Sequence, residues 1–236
     1  RKQDGAQQAW QSALAVRDTS LDLPDNFYEQ ELEYVVLAQG ITSLDEYRTA
    51  RRTGRGVILS RAKRDAIWPV FEEYRGQLSS RKLKEVDDAY REVASMLSAR
   101  EKKDSPYSAI VIDETQDFGP QALKLLRALI PNGSNDLFFV GDGHQRIYSR
   151  NKAAMSKCGI DIRGRARKLY INYRTTDEIR RQAVALLEGV EVDDLDDGFD
   201  EVARYRSLSH GPAPEVAKVE GLEGAFIKVK EFVQQW

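Results

Sequence analysis

The sequence predicts two kinds of architecture in one chain: a mostly helical first part, then an α/β part built on a parallel sheet. Three observations carry this. Before Ser105-Pro106 the apolar residues recur at helical spacing. After it, short unbroken apolar runs alternate with helical stretches, as buried parallel strands and their crossover helices do. Each apolar run also ends in polar, chemistry-bearing residues, and parallel sheets bind ligands beyond the carboxyl ends of their strands.

In the first part, Phe27 to Ala38 reads as a helix through Leu32, Val35 and Val36. Ser43 with Glu46 three residues on forms a capping box that opens a short helix. Gly54-Arg55-Gly56 reads as a turn. Ile67, Phe71, Tyr74 and Leu78 draw one apolar stripe, and Leu83, Val86, Tyr90, Val93 and Leu97 draw another. In the second part, Ala109 to Ile112 is a strand and Pro120 to Ile130 a helix with Leu123, Leu126 and Leu129 inward. Leu137 to Val140 is a second strand. Lys168 to Asn172, the helix from Thr176 to Leu187, a strand over Glu215 to Val219 and a helix from Leu222 to Gln235 complete the series.

Composition narrows the class. Among 236 residues 41% are hydrophobic and 31% charged, an ordinary globular balance rather than that of a disordered chain. No apolar run reaches the ~18 residues of a membrane span, so no membrane association is expected. Arg1-Lys2-Gln3-Asp4 has no hydrophobic signal core. Cys158 is the single cysteine, so no internal disulfide forms, and with two histidines it builds no zinc cage. More often such a cysteine packs than reacts. The expected setting is reducing and intracellular, with no disulfide-linked partner.

The net charge of -2 conceals segregation. Residues 48–64 carry seven bases and no acid, among them Arg51, Arg52 and Arg55; residues 146–168 carry eight bases against Asp161. Residues 191–201 carry seven acids and no base, and read as a solvated loop. Either basic block suits the phosphates of a nucleic acid, or the solvated face of a helix or loop.

Three strand ends carry candidate chemistry. At Asp113-Glu114-Thr115-Gln116-Asp117, adjacent carboxylates could divide the work of a triphosphatase, with Asp113 on Mg²⁺ and Glu114 on the attacking water. The same acids also suit the start of a helix. At Gly141-Asp142-Gly143-His144-Gln145, the Gln145 amide could touch both a terminal phosphate and that water, and Tyr148 could stack on a base. A plain turn followed by packed Ile147 and Tyr148 is the competing reading. At Asn172-Tyr173-Arg174, the arginine could neutralise developing phosphoryl charge and the tyrosine could stack on adenine; a surface Tyr-Arg pair is the alternative.

Taken in order and at this spacing, Val111-Ile112-Asp113-Glu114-Thr115-Gln116-Asp117, Gly141-Asp142-x-x-Gln145-x-Ile147-Tyr148 and Leu169-x-x-Asn172-Tyr173-Arg174 resemble motifs II, III and IV of the superfamily 1 helicases of the UvrD/Rep/PcrA type. The resemblance covers about residues 105–180. The basic helical region before it sits where that family inserts its 1B subdomain. What the resemblance implies is a partial RecA-like parallel sheet with flanking helices, preceded by a mostly helical 1B-like subdomain over residues 1–104. Residues 105–168 would be the later half of the first RecA-like domain and 169–236 the opening of the second.

The resemblance further implies an ATP- and Mg²⁺-dependent motor moving 3′ to 5′ on single-stranded DNA and opening duplexes at single-strand/duplex junctions, in the bacterial-type cytoplasm. Asp113 would bind the metal and Glu114 act as general base. Gln116 and Gln145 would couple γ-phosphate state to DNA. Tyr173 would stack on adenine, Arg174 would reach the γ-phosphate, and Asp142 would belong to the nucleotide site. Tyr148 would meet DNA. Where the family often has a second aromatic, this chain has Arg150, whose guanidinium plane can also stack. Arg51, Arg52 and Arg55 would add phosphate contacts. A phosphate loop of the form Gly-x-x-x-x-Gly-Lys-[Ser/Thr] is missing, since no Gly-Lys pair occurs in the sequence. The expectation is an internal piece of a longer helicase that hydrolyses ATP negligibly alone; a noncatalytic nucleic-acid-binding module is the alternative.

Overall fold

The helical stripes of the first part close on one another around an aromatic centre. In the computed structural model, residues 2–52, 54–99, 105–145, 154–187, 189 and 205–235 are described. They fall into two compact units, one up to Gly164 and one from Arg165 onward.

In the first unit, helix α1 (Lys2–Leu14) packs on α4 (Arg61–Ser80). Helix α2 (Asp25–Glu31) runs into a π-helical turn over Leu32–Leu37, followed by the short α3 (Leu44–Thr49). Ser43 caps α3 as expected: its side chain accepts from Glu46 N–H while Glu46 reaches back to the cap. Ser60 caps α4 the same way from Lys63 N–H. Tyr28, Tyr47, Ile67, Trp68 and Phe71 are fully buried in the resulting core. Tyr47 stacks on Trp68 at 5.6 Å and meets Phe71 edge-on at 5.8 Å. Each such ring contributes about 1.5–3 kcal/mol on burial.

Helix α5 (Val86–Ser98) packs along α6 (Pro120–Leu129). The expected stripe on α5 is corrected here. Val86 and Val93 are exposed, and the buried positions are Asp88 and Ala94. Two forces turn the helix. Arg75 on α4 holds Asp88 through two bonds of 3.0 Å, and Ala94 lies buried on the helix that packs against α6.

Strands β1 (Ile110–Ile112) and β2 (Leu137–Phe139) pair in parallel through the α6 crossover, in the register Ile110–Leu137, Val111–Phe138, Ile112–Phe139. Flanking bonds from Val140 N–H to Ile112 O and from Thr115 N–H to Val140 O extend the ladder to the strand ends. Leu123, Met155, Cys158 and Ile160 fill the core on one side. Burial on both faces is not realised: Val111 and Phe138 are 73% and 62% exposed.

In the second unit, β3 (Ile171–Asn172) pairs in parallel with β4 (Arg206–Ser207), and α7 (Asp177–Ala185) packs on β4. Asp177 ties them together, accepting from Ser207 N–H and pairing with Arg180. The strand expected over 215–219 is absent; that stretch has no regular structure, and the parallel partner of β3 is instead Arg206–Ser207. Val216 and Val219 are both exposed and pair with nothing in the sheet. Helix α8 (Gly221–Gln235) follows. The acidic run at 191–201 lies outside the described residues.

Candidate active site

The carboxyl ends of β1 and β2 place the first two sequence clusters side by side. Their side chains form one connected hydrogen-bonded path. Ile112 is buried, and the chain then turns so that Asp113 and Glu114 are both exposed at the strand tip. Glu114 has left-handed backbone, with φ 50°, a conformation that costs a non-glycine residue of the order of 1 kcal/mol. Asp113 compensates by accepting Glu114 N–H at 2.9 Å. A 3-10 turn over Thr115–Asp117 follows, burying Thr115 and Gln116.

Gln116 is the hub. Its Nε2 donates to Glu114 Oε2 at 2.6 Å, and its Oε1 accepts Asp142 N–H at 2.9 Å. Asp142 then accepts Gln145 Nε2 at 3.0 Å and His144 N–H at 3.0 Å, which folds the 3-10 turn Gly143–Gln145 back over its own carboxylate. The path therefore runs Glu114, Gln116, Asp142, Gln145. Thr115 strengthens it from below by donating its hydroxyl to Val140 O at 2.8 Å. Gly141 leaves the space for it: a Cβ there would sit 2.9 Å from Gln116 Oε1 and 3.1 Å from Thr115 N. Thr115 and Gly141 stand inside the sequence clusters without a role of their own. The usable signal was the small residue directly before Asp142.

Two carboxylates stand at the tip with different commitments. Glu114 holds Gln116, and Asp113 holds a backbone N–H through Oδ1 only. Among the described residues no group of three metal-ligating side chains occurs. The Asp142 carboxylate caps its own turn and remains partly exposed.

The remaining predicted residues divide. Tyr148 and Arg150 lie outside the described residues. Tyr173 and Arg174 belong to the second unit, where Tyr173 is 77% exposed and Arg174 N–H bonds Asn172 Oδ1 at 2.8 Å. Both side chains stand open just past β3.

The basic block over 48–64 is corrected most strongly. Glu31 is fully buried, accepts the Tyr47 hydroxyl at 3.0 Å and pairs with Arg52 through bonds of 2.6 and 2.9 Å. Arg55 reaches the same carboxylate at 3.5 Å and lies over the Tyr34 ring. Arg52 is 6% exposed, so it has no free face for a phosphate. Arg48 is held by Asp45 and Asp65, and Arg64 donates to the carbonyls of Tyr47 and Ala50. Most of the block's charge is thus spent inside the fold. Burial, then the neighbouring Glu31, pushes the Tyr47 hydroxyl far above the usual tyrosine range. Arg51 is exposed; its backbone is clamped by the Gln39 amide at 2.8 and 3.2 Å.

Cys158 packs as expected, buried with its Sγ 3.7 Å from Pro120 O. Burial raises its thiol above the ordinary range. No helix of the described residues is long and apolar enough to cross a membrane.

A family model described as the UvrD/REP helicase N-terminal domain matches residues 7–158. The chain belongs to that family. The match takes in both clusters of the Glu114–Gln145 path and ends before Asn172-Tyr173-Arg174. No curated protein matches the chain. As a UvrD/REP-type segment, the chain is helicase-derived, with mixed α/β structure and two short parallel sheets.

Proposed function

We propose that this UvrD/REP-type segment works within a longer motor that couples ATP hydrolysis to 3′ to 5′ translocation on single-stranded DNA. Junctions between single strands and duplex would be where it opens DNA, and the cytoplasm where it acts. The observation that supports this is the hydrogen-bonded path from Glu114 through Gln116 and Asp142 to Gln145. A triphosphatase needs a base that holds water and a neighbour that responds to the terminal phosphate. Glu114 is exposed for the first task and is linked by one amide to the segment after β2 that bears Gln145.

In this reading Asp113 holds Mg²⁺ and Glu114 accepts a proton from the attacking water. When bound, the metal neutralises charge on the phosphate oxygens. Gln116 keeps the Glu114 carboxylate oriented through a 2.6 Å bond. A shift of Gln145 toward a phosphate would pull on Asp142 and, through Gln116, on Glu114. Tyr173 stacks on adenine and Arg174 meets the γ-phosphate from the second RecA-like domain. Tyr148, Arg150 and Arg51 meet DNA; Arg52 and Arg55 have no such role, because Glu31 holds them.

One observation favours a second reading. The 236 residues contain no Gly-Lys pair, so no phosphate loop of the usual form exists within them. A noncatalytic nucleic-acid-binding module would keep the fold and lose turnover. DNA-stimulated ATP hydrolysis and directional movement, measured on a protein that joins this segment to a phosphate loop, decide between them. The motor reading expects both. Salt-dependent binding to single-stranded DNA without any stimulated turnover would leave the binding module.

A further inference from the structure

The path from Glu114 to Gln145 passes through the carboxylate of Asp142, which accepts on both of its oxygens. Its Oδ2 accepts Gln145 Nε2 at 3.0 Å. Its Oδ1 accepts the His144 backbone N–H at 3.0 Å and lies 3.0 Å from His144 Nδ1. The imidazole side chain is 14% exposed against 44% for that of Asp142, so the ring is largely shielded from water while the carboxylate is open.

These contacts fix two orientations. An ionised carboxylate only accepts, so His144 Nδ1 carries a proton. The neutral ring is then the Nδ1–H tautomer, set by the bond it makes. With Oδ1 engaged by two N–H groups and Oδ2 by a third, a twist of the carboxylate out of its plane stretches bonds on both oxygens.

Gln145 takes the second orientation. Its Nε2 faces Asp142, because the opposite amide orientation would set Oε1 against a carboxylate oxygen. One N–H and the Oε1 acceptor then remain among the described residues, the pair that a terminal phosphate and a water molecule call for in the site proposed above. Asp142 also offers its backbone N–H to Gln116 Oε1 at 2.9 Å, so a displaced Asp142 loosens the path on both sides.

We infer that His144 is a positioning residue: its Nδ1–H holds Asp142 so that Gln145 presents its amide in one orientation. What that amide acts on rests on the ATPase reading, whereas the hydrogen bond does not. Loss of the imidazole frees Gln145 without unfolding the turn, since the His144 backbone N–H still reaches Asp142.

Nitrogen-15 NMR of the 236-residue chain reads the tautomer directly. The chain has two histidines, and His210→Gln leaves His144 as the single ring signal. With the ring neutral, the proton is expected on Nδ1. The same spectra follow the Gln145 side-chain amide in His144→Asn, His144→Gln and His144→Ala. Asn carries its amide nitrogen as many bonds from Cα as Nδ1, whereas Gln carries it where Nε2 stands. His144→Asn is therefore expected to keep the separation of the two Gln145 amide proton shifts, and His144→Gln and His144→Ala to narrow it. Exchange of those protons should quicken at least about threefold in the latter two. In a protein that joins this segment to a phosphate loop, kcat is expected to fall at least about tenfold in His144→Gln and His144→Ala, with KM within about twofold and His144→Asn close to the unsubstituted protein. A bare Nδ1, Gln145 signals that no substitution alters, rescue by Gln rather than Asn, or turnover that all three variants retain each overturns the inference. Absence of turnover in the unsubstituted joined protein counts against the ATPase reading, and the NMR results then decide the role of His144.

Discussion

Gln116 Oε1 accepts the backbone N–H of Asp142 at 2.9 Å, so a side chain one turn past β1 is tied to the tip of β2. The same amide donates to Glu114 at 2.6 Å. One 2% exposed side chain thus joins the two strand-end clusters. Gln116→Ala leaves Asp142 N–H and Glu114 without their partner and is expected to cost about 1–3 kcal/mol. Urea unfolding of the chain measures this. Gln116→Glu should cost at least as much, because a second carboxylate would face Glu114.

Gly141 tests the same junction sterically. Gly141→Ala drives a methyl to 2.9 Å from Gln116 Oε1 and 3.1 Å from the Thr115 backbone nitrogen. Overpacking of this kind costs about 1–3 kcal/mol. Gly76, inside α4, has open space around its Cβ position. Gly76→Ala should therefore stabilise by about 0.5–1 kcal/mol. Thermal unfolding of the two variants should move in opposite directions.

Glu31 is the keystone of the helical core. It is fully buried and holds Tyr47, Arg52 and Arg55. Removing one partner of a buried ion pair strands the other, at a cost of about 3–5 kcal/mol. Glu31→Ala is expected to lie in that range by denaturant unfolding. Reversing Arg52 and Arg55 would unfold this region before it reported on DNA, so Arg51→Glu is the appropriate single probe of phosphate contact.

Glu178 sets a pH dependence in the second unit. The backbone N–H of Gly211 at 2.9 Å, then His210 at 3.0 Å, hold its carboxyl down at about 2, against an ordinary value of 4.5. A lowered folded pKa stabilises above the unfolded value and is lost as pH falls through the folded one. The tie between α7 and Gly211 should therefore be at full strength above about pH 4.5 and loosen between 4.5 and 2. Titration of the Glu178 carboxyl by NMR checks this. Gly211→Pro removes the backbone N–H donor to Glu178 and should raise the midpoint.

The helices after α1, both strands of the first sheet and the Ser43–Glu46 cap are legible in the sequence because each rests on local spacing or local chemistry. Helix α1 was passed over, since Gly5 and four glutamines blur its apolar face. The α5 face was misread because Asp88 is drawn inward by Arg75, a long-range pairing that periodicity does not contain. The basic block was misread for the same reason: Glu31 lies more than twenty residues from Arg52 in sequence, and only folding brings them together. At the strand tips the two clusters are legible as neighbours from the strand pattern, whereas the hub position of Gln116 between them needs the register of β1 against β2.

Glu114, oriented by Gln116, is the proposed base for ATP hydrolysis. Steady-state ATP turnover by a protein that carries this segment with a phosphate loop, compared between Glu114 and Glu114→Gln, tests it most directly. A loss of at least about a hundredfold in kcat is expected, within the range general-base removal produces, with ATP affinity changed little. Turnover that persists at the original rate in Glu114→Gln would contradict it.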